Sequence, residues 1–397
     1  MQEMPQMQEM QETREMTAMN EPALAPLHAW LAAPMDQDVS EAIERLRRAP
    51  DVQRIAVMPD VHLATDVCIG VVVATSHLIY PQAVGGDIGC GMLAVALDVD
   101  ADALRDPTIA GKVLASLGRA VPARRRNRRA IVPQPEDLAS ASLGQRSLEA
   151  VFRDEGVIEF ATLGSGNHFI ELQADDEDRL WLMIHSGSRA VGPAIRDHYL
   201  ARAEAVGQGL RALDATSEIG AAYLHDAACA RRFADASRRA MAAEVGSVLS
   251  TLLGAALRWE SLITTDHNHV SLEDHGGRPL WVHRKGAMPA RLDEPGVLPG
   301  SMGGPSFHVI GRGHADALCS SAHGAGRALS RTAARGKVTE RELRRQMEGI
   351  WYDYRIAAKL RDEAPSAYKD IRAVLRAQKD LVKVTRTLRP VLNYKGT

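Results

Sequence analysis

The period of the hydrophobic positions changes several times along the chain, and each change marks a different kind of element. From Ile55 to Leu97, short Val, Ile and Ala runs are separated by turns built on Asp, Gly and Pro, which predicts a succession of strands. Two further strand-like runs, Val157 to Leu163 and Leu180 to His185, each lead into loops rich in Gly and Ser. Residues 196–258 are rich in Ala, Arg and Leu and read as helix, which makes His198 and His225 surface or packing residues rather than ligands. The segment Thr339 to Glu363 opens on a capping box of Thr339 with Glu342 and stops before Pro365, so a helix is expected there. A last basic helix is expected from Tyr368 to about Thr385. Residues 1–20 repeat Met-Gln-Glu with little else and predict a disordered or loosely helical extension, drawn at 1–25, ahead of one domain over 26–397.

Composition narrows the class. With 397 residues and 45% hydrophobic content the chain has ample material for a core. The net charge of -2 conceals an asymmetry, because the stretch from Arg331 onward carries 17 Lys/Arg against 8 Asp/Glu. A basic region of this kind fits a polyanionic partner or a solvated helix face. The same two readings apply to the cluster Arg124-Arg125-Arg126-Asn127-Arg128-Arg129. Cys68, Cys90, Cys229 and Cys319 are far apart and show no CxxC pairing, which argues against a disulfide framework and for a reducing compartment. No apolar run reaches membrane-spanning length, and a cytoplasmic protein is expected.

Candidate chemistry begins at Gly85-Gly86-Asp87-Ile88-Gly89-Cys90-Gly91-Met92. A carboxylate and a thiol three residues apart on a glycine-rich turn can face one ion from two sides. Alone, such a pair is more often structural. Three histidines change the balance: His168 in Gly164-Ser-Gly-Asn-His168-Phe-Ile-Glu171, His185 before Ser-Gly-Ser-Arg189, and His267 in Asp266-His-Asn268-His269. Each ends or interrupts a strand-like run. With Asp87 and Cys90 they form an N/O/S set suited to one or two borderline divalent ions such as manganese, zinc or iron. His323 differs in kind, because it stands in Ser321-Ala-His323-Gly-Ala-Gly-Arg327, a glycine-rich loop before the basic residues Arg327 and Arg331. Backbone N–H groups of such a loop can cradle phosphate, and an imidazole there can attack phosphorus. The loop Pro299-Gly-Ser301-Met302-Gly-Gly-Pro-Ser306 adds hydroxyls and further donors.

Taken in order, Met58-Pro-Asp60-Val-His62, VGGDIGCGM, LGSGNHFIE, HSGSR, HNH, PGSMG, SAHGAGR and Lys395-Gly396 resemble the motif series of the RtcB family of RNA ligases, from about residue 55 onward. The resemblance implies an α+β fold of packed β-sheets surrounded by helices, with a deep metal-binding cleft. It implies joining of RNA ends bearing a 2′,3′-cyclic phosphate or 3′-phosphate to ends bearing a 5′-hydroxyl, with GTP and two manganese ions. On this likeness Cys90 bridges the ions, Asp87 and His168 complete one site, and His185 with His267 completes the other. His323 becomes the nucleophile that takes GMP, and Asn167 contacts the nucleotide phosphate. Glu171, Ser301, Ser306 and Lys395 hold the guanosine, with further contacts from Asn268, Met302, Gly324, Ala325 and Gly326. Arg189, Arg327 and Arg331 meet RNA or nucleotide phosphates. The chain departs from the family pattern at Gly86, Ala190, Asp266, His269 and Thr397, none of them a ligand or the nucleophile.

Three other classes stand beside this one. A cyclic phosphodiesterase needs no histidine nucleophile, so His323 counts against it. A non-catalytic RNA-end binder would tolerate erosion of the metal set, which is complete here. A nucleotidyltransferase that caps RNA 3′ ends with GMP without joining them uses the same residues.

Overall fold

A computed structural model describes residues 24–396. The expected extension over residues 1–20 and the departure at Thr397 therefore lie outside the described residues. Two large sheets organise the rest. One has five strands in the order Leu27–Ala29, Val52–His62, Ile69–Thr75, Pro279–Lys285 and Asn268–Asp274. The other has seven, in the order Leu257–Asp266, Gly91–Asp100, Arg179–Ser186, Phe169–Ala174, Val382–Lys395, Ser306–Gly311 and Pro295–Leu298. Apart from the parallel pairing of Leu27–Ala29 with Val52–His62, neighbours in both sheets run antiparallel. The end strands of the larger sheet, Leu257–Asp266 and Pro295–Leu298, also approach each other, so the sheet nearly closes.

The strand-rich reading of Ile55 to Leu97 and of Leu180 to His185 agrees with this architecture, and so does the α+β class. Strands such as Ile69–Thr75 and Arg179–Ser186 are buried almost throughout, which is why they read as continuous apolar runs instead of alternating ones. Helix Glu218–Leu253, 36 residues long, lies on the larger sheet. Ser217 caps its start by accepting from the Gly220 N–H, and Gly254 ends it at φ +68°. Among the described residues, no helix is long and apolar enough to cross a membrane.

Four expectations need correction. Val157 to Leu163 is not a strand: Val157–Glu159 is helical, Ala161 has φ +55°, and Phe160 packs edge-on to Phe233 of the long helix with ring centres 5.5 Å apart. Its apolar residues are buried beneath a helix, and a short apolar run cannot tell that burial from burial within a sheet. Residues 196–258 are not helical throughout, because the hairpin Glu204–Gly207 and Leu210–Asp214 separates helix Val191–Leu200 from the long helix. Half of the capping box forms, with Thr339 Oγ1 accepting from the Glu342 N–H at 3.1 Å, but the helix ends at Gln346 and the chain is helical again only in the short segments Tyr354–Ile356, Ala357–Leu360 and Arg361–Glu363. The last helix covers only Ile371–Ala377, and Val382, Val384, Thr385 and Thr387 belong to strand Val382–Lys395. Their β-branched side chains favour the extended backbone, and the strand fills the slot between Phe169–Ala174 and Ser306–Gly311.

Candidate metal centre and adjoining cleft

Strand ends and the turns beside them deliver the candidate ligands. Cys90 immediately precedes strand Gly91–Asp100, His185 lies near the end of the neighbouring Arg179–Ser186, and His168 precedes Phe169–Ala174. His267 sits between the ends of Leu257–Asp266 and Asn268–Asp274, its N–H donating to the Cys90 carbonyl at 2.8 Å. Two buried trios result: Asp87, Cys90 and His168 form one, and Cys90, His185 and His267 the other. The atoms of each lie within 4.8 Å of one another, and Cys90 is common to both.

The backbone around this centre is pinned from behind. Arg238, wholly buried in the long helix, donates to the carbonyls of Gly89 at 2.7 Å and Ser186 at 2.9 Å, the residues flanking Cys90 and His185. The Ser188 N–H donates to Asp87 Oδ1 at 3.0 Å. Gly187 must be glycine, because a Cβ there would stand 2.0 Å from the same oxygen. Asn268 braces the turn, its amide donating to the Asp87 carbonyl at 3.1 Å and accepting from the Gly286 N–H at 2.9 Å. Asp266 pairs with Arg231 and lies 3.0 Å from His269 Nδ1, so two of the departures from the family pattern stabilise the histidine turn.

Lone pairs converge here in a way that calls for a cation. His185 Nδ1 faces the Asn167 carbonyl at 3.1 Å, which places its proton on Nδ1 and leaves Nε2 bare. That Nε2 lies 3.3 Å from Cys90 Sγ and 3.4 Å from His267 Nε2. On the other side His168 Nε2 is 3.0 Å from Asp87 Oδ2 and 3.5 Å from the same sulfur. Burial, with neighbouring imidazoles, pushes His185 and His267 well below the usual histidine range. Burial also drives the Cys90 thiol well up, and Asp87 adds to the effect. It pushes Asp87 upward too, yet the hydrogen bond and charge of His168, with help from Cys90 and His185, hold that carboxyl at about 2. Imidazole nitrogens, a carboxylate and a thiol crowded in one dry pocket are costly without a cation to share. The donor set therefore fits divalent metal.

His323 stands beside this centre, its ring 4.6 Å from that of His267. Its Nδ1 lies 2.7 Å from Oδ2 of the fully buried Asp60, which also accepts from its N–H at 3.2 Å. This sets the Asp60 carboxylate against the Nδ1 edge of the ring. His323 and His185 line a cleft of about 500 Å³. Ser301, Met302, Ser306, Gly324, Ala325 and Gly326 form part of its wall. Asn167, Glu171, Lys395, Arg327 and Arg331 form more of it. Burial raises the Glu171 carboxyl to about 7 against hydrogen bonds from Gln173 and Asn393 and the charge of Lys395. Lys395 pairs with Glu363, and Arg331 reaches Asp362 at 2.8 Å as well as Glu363.

Two assigned residues are not brought to the cleft wall. Asn268 is spent on bracing the Asp87 turn, and Arg189 lines a separate depression with Arg124, Arg125 and Ser165. Conversely, the cleft recruits residues to which the sequence attached no role: His62, Phe169, Tyr368 and Asn393. Asp60 and His62 lie inside a quoted motif, and Phe169 adjoins His168, so proximity to ligand motifs was the available signal. Tyr368 had none. It is placed by donating to Glu363 at 2.7 Å, with the Arg327 guanidinium 5.2 Å above its ring.

Comparison with known proteins bears directly on this arrangement. The profile of the family described as "tRNA-splicing ligase RtcB" matches residues 42–396. The RNA-splicing ligase RtcB of Escherichia coli K12 is 35% identical over 402 residues, spanning 94% of this chain and 98% of that protein. Its namesake in Mycobacterium tuberculosis is 30% identical over 85% of this chain and 96% of its own length. The tRNA-splicing ligase RtcB of Archaeoglobus fulgidus is 27% identical over 95% of each chain. The match runs through every strand end that carries a candidate ligand, and the chain belongs to the RtcB family of tRNA-splicing ligases.

Proposed function

We propose that this chain joins RNA ends bearing a 2′,3′-cyclic phosphate or 3′-phosphate to 5′-hydroxyl ends, using GTP and two manganese ions, through GMP carried on His323. Residues 26–397 act as one ligase domain; the support is that strand Val382–Lys395 sits in the middle of a sheet whose other members begin at Gly91. The observation that carries the function is the pair of ligand trios sharing Cys90, set directly against the ring of His323.

The proposed roles draw on the positions of these residues in the cleft and beside it. The two trios would hold manganese, and its positive charge would polarise the phosphates of GTP and offset the charge of the leaving pyrophosphate. Asp60 orients the imidazole and stabilises the positive charge that its ring gains on attacking the α-phosphorus, in the manner of a carboxylate behind a histidine. Asn167 and the N–H groups of Gly324 to Gly326 meet phosphate oxygens. Glu171, Ser301, Ser306 and Lys395 hold the guanosine, and Phe169 and Tyr368 give its base apolar surface. Arg327 and Arg331 stand where the RNA phosphate arrives.

Incubation with labelled GTP and manganese is expected to give an acid-labile, base-stable GMP adduct, and His323→Ala to abolish it. No adduct on the wild-type chain sinks the proposal. An adduct with no joining of a 5′-hydroxyl RNA turns it into the capping reaction.

A further inference from the structure

The arginines of the Arg124–Arg129 cluster do different things. Arg126 donates to the carbonyls of Ala120 at 2.6 Å and Ala161 at 2.9 Å and clamps the fold. Arg125 pairs with Glu155 and Glu159, and Arg128 faces Asp154. Arg124 and Arg129 are exposed and, among the described residues, pair with no acid and make no side-chain hydrogen bond.

Arg124 stands at a junction. With Ser165 it lines two adjoining depressions, one of which also holds Arg189 and the other Arg331, Arg335 and Lys359. Arg331 lines the His323 cleft as well, so one path leads out of the cleft, past Ser165, to Arg189. The loop it crosses is the one that carries His168. Gly166 sits there at φ +78°, and a Cβ would meet the Arg331 guanidinium at 3.3 Å.

Charge along this path is sorted by depth. The side chains of Glu159, Asp362 and Glu363 are 11%, 3% and 4% exposed, while those of Arg125, Arg331 and Arg335 are 56%, 38% and 59% exposed. Lys359 is exposed and makes no ion pair among the described residues. Acids underneath fix the guanidiniums, and the surface that remains is cationic. A row of cations, some held by buried acids and Arg124 and Lys359 unpaired among the described residues, lined by no aromatic side chain, matches the evenly repeated charge of a nucleic-acid backbone and reads no base.

We infer that this shelf binds the backbone phosphates of the RNA strand next to the end held in the cleft, with Arg124 and Lys359 as contacts beyond Arg331. The inference rests on the proposed RNA-joining function, and it makes the grip of the shelf independent of sequence.

The test is equilibrium binding, by fluorescence anisotropy over a range of salt, of a labelled single-stranded oligoribonucleotide ending in a 3′-phosphate. Arg124→Ala and Lys359→Ala are each expected to weaken binding several-fold and to lower the slope of log K against log salt by about 0.7, one released counterion's worth for a single strand. Arg124→Glu should weaken it further, and Arg129→Ala, outside both depressions, should leave it unchanged. Affinity and slope equal to wild type in Arg124→Ala and Lys359→Ala overturn the inference, and so does an equal loss in Arg129→Ala, which would reduce the effect to general surface charge. Guanylylation of His323 is measured on the same preparations and is expected at the wild-type level in every variant. Its absence from the wild type would refute the proposed function, whereas normal guanylylation with unchanged RNA binding would refute only the shelf.

Discussion

Replacing Asp60 by Asn removes one charge and little else. The side chain is fully buried, and its Oδ2 lies 2.7 Å from His323 Nδ1 while accepting from the His323 N–H at 3.2 Å. An amide of the same shape keeps an oxygen for one of these contacts and loses the negative charge behind the ring. A hydrogen bond to a charged group contributes about 1.5–3 kcal/mol, and each 1.4 kcal/mol is a tenfold change in rate. Because the imidazole gains positive charge only as it bonds to phosphorus, that loss falls on the transition state rather than on binding. Single-turnover guanylylation with saturating GTP and manganese should therefore slow by roughly 10- to 100-fold in Asp60→Asn. The GTP concentration giving half the maximal rate should change little. A wild-type rate refutes the role given to Asp60. So does an undiminished maximal rate with only a raised half-saturating GTP concentration, which would make Asp60 part of nucleotide binding.

Two further predictions concern the same region. Cys90→Ala should lose both metals together, whereas His168→Ala should mainly loosen one; metal content after dialysis reads this directly, and equal losses in the two variants would count against a shared thiolate. Glu171 carries a proton more tightly in the folded chain, at about 7, than the ordinary 4.5 of the unfolded one. The folded state thus binds the extra proton between those values, and stability is expected to fall by about 3 kcal/mol as pH rises from below 4.5 to above 7. Urea unfolding midpoints across that range should show a shallower decline in Glu171→Gln than in wild type. Identical declines would mean that Glu171 does not bear the proton.

The sequence announced chemistry where rare residue types stand in glycine-rich turns, and Asp87, Cys90, His168, His185 and His267 were legible for that reason. Their convergence was not, because it depends on strands that pair across long stretches of chain, such as Met92 opposite His185 and Lys395 opposite Phe169. Supporting groups were harder still. Arg238 looks like one more arginine on an Ala/Arg-rich helix, and only its burial against the Gly89 and Ser186 carbonyls distinguishes it. Asp60 reaches His323 from 263 residues away. Asp362 and Glu363 read as a helix end, although they anchor Arg331 and Lys395. At 382–385 the basic composition points to a helix, while the β-branched residues are the better guide to the strand found there.

That strand has a kinetic consequence. Val382–Lys395 occupies an interior position in the seven-stranded sheet, and Asn393 and Lys395 complete the cleft wall. Its partners, Phe169–Ala174 and Ser306–Gly311, lie far back in the chain, so its insertion closes very long loops and belongs among the slow, late events of folding. Until it docks, both partners present bare backbone edges that invite pairing with another molecule. An intermediate at this stage would hold Cys90 and His185 in place beside strands Gly91–Asp100 and Arg179–Ser186 and still lack the cleft wall of Asn393 and Lys395, so the candidate metal centre would assemble before the cleft, and aggregation would compete with the last step.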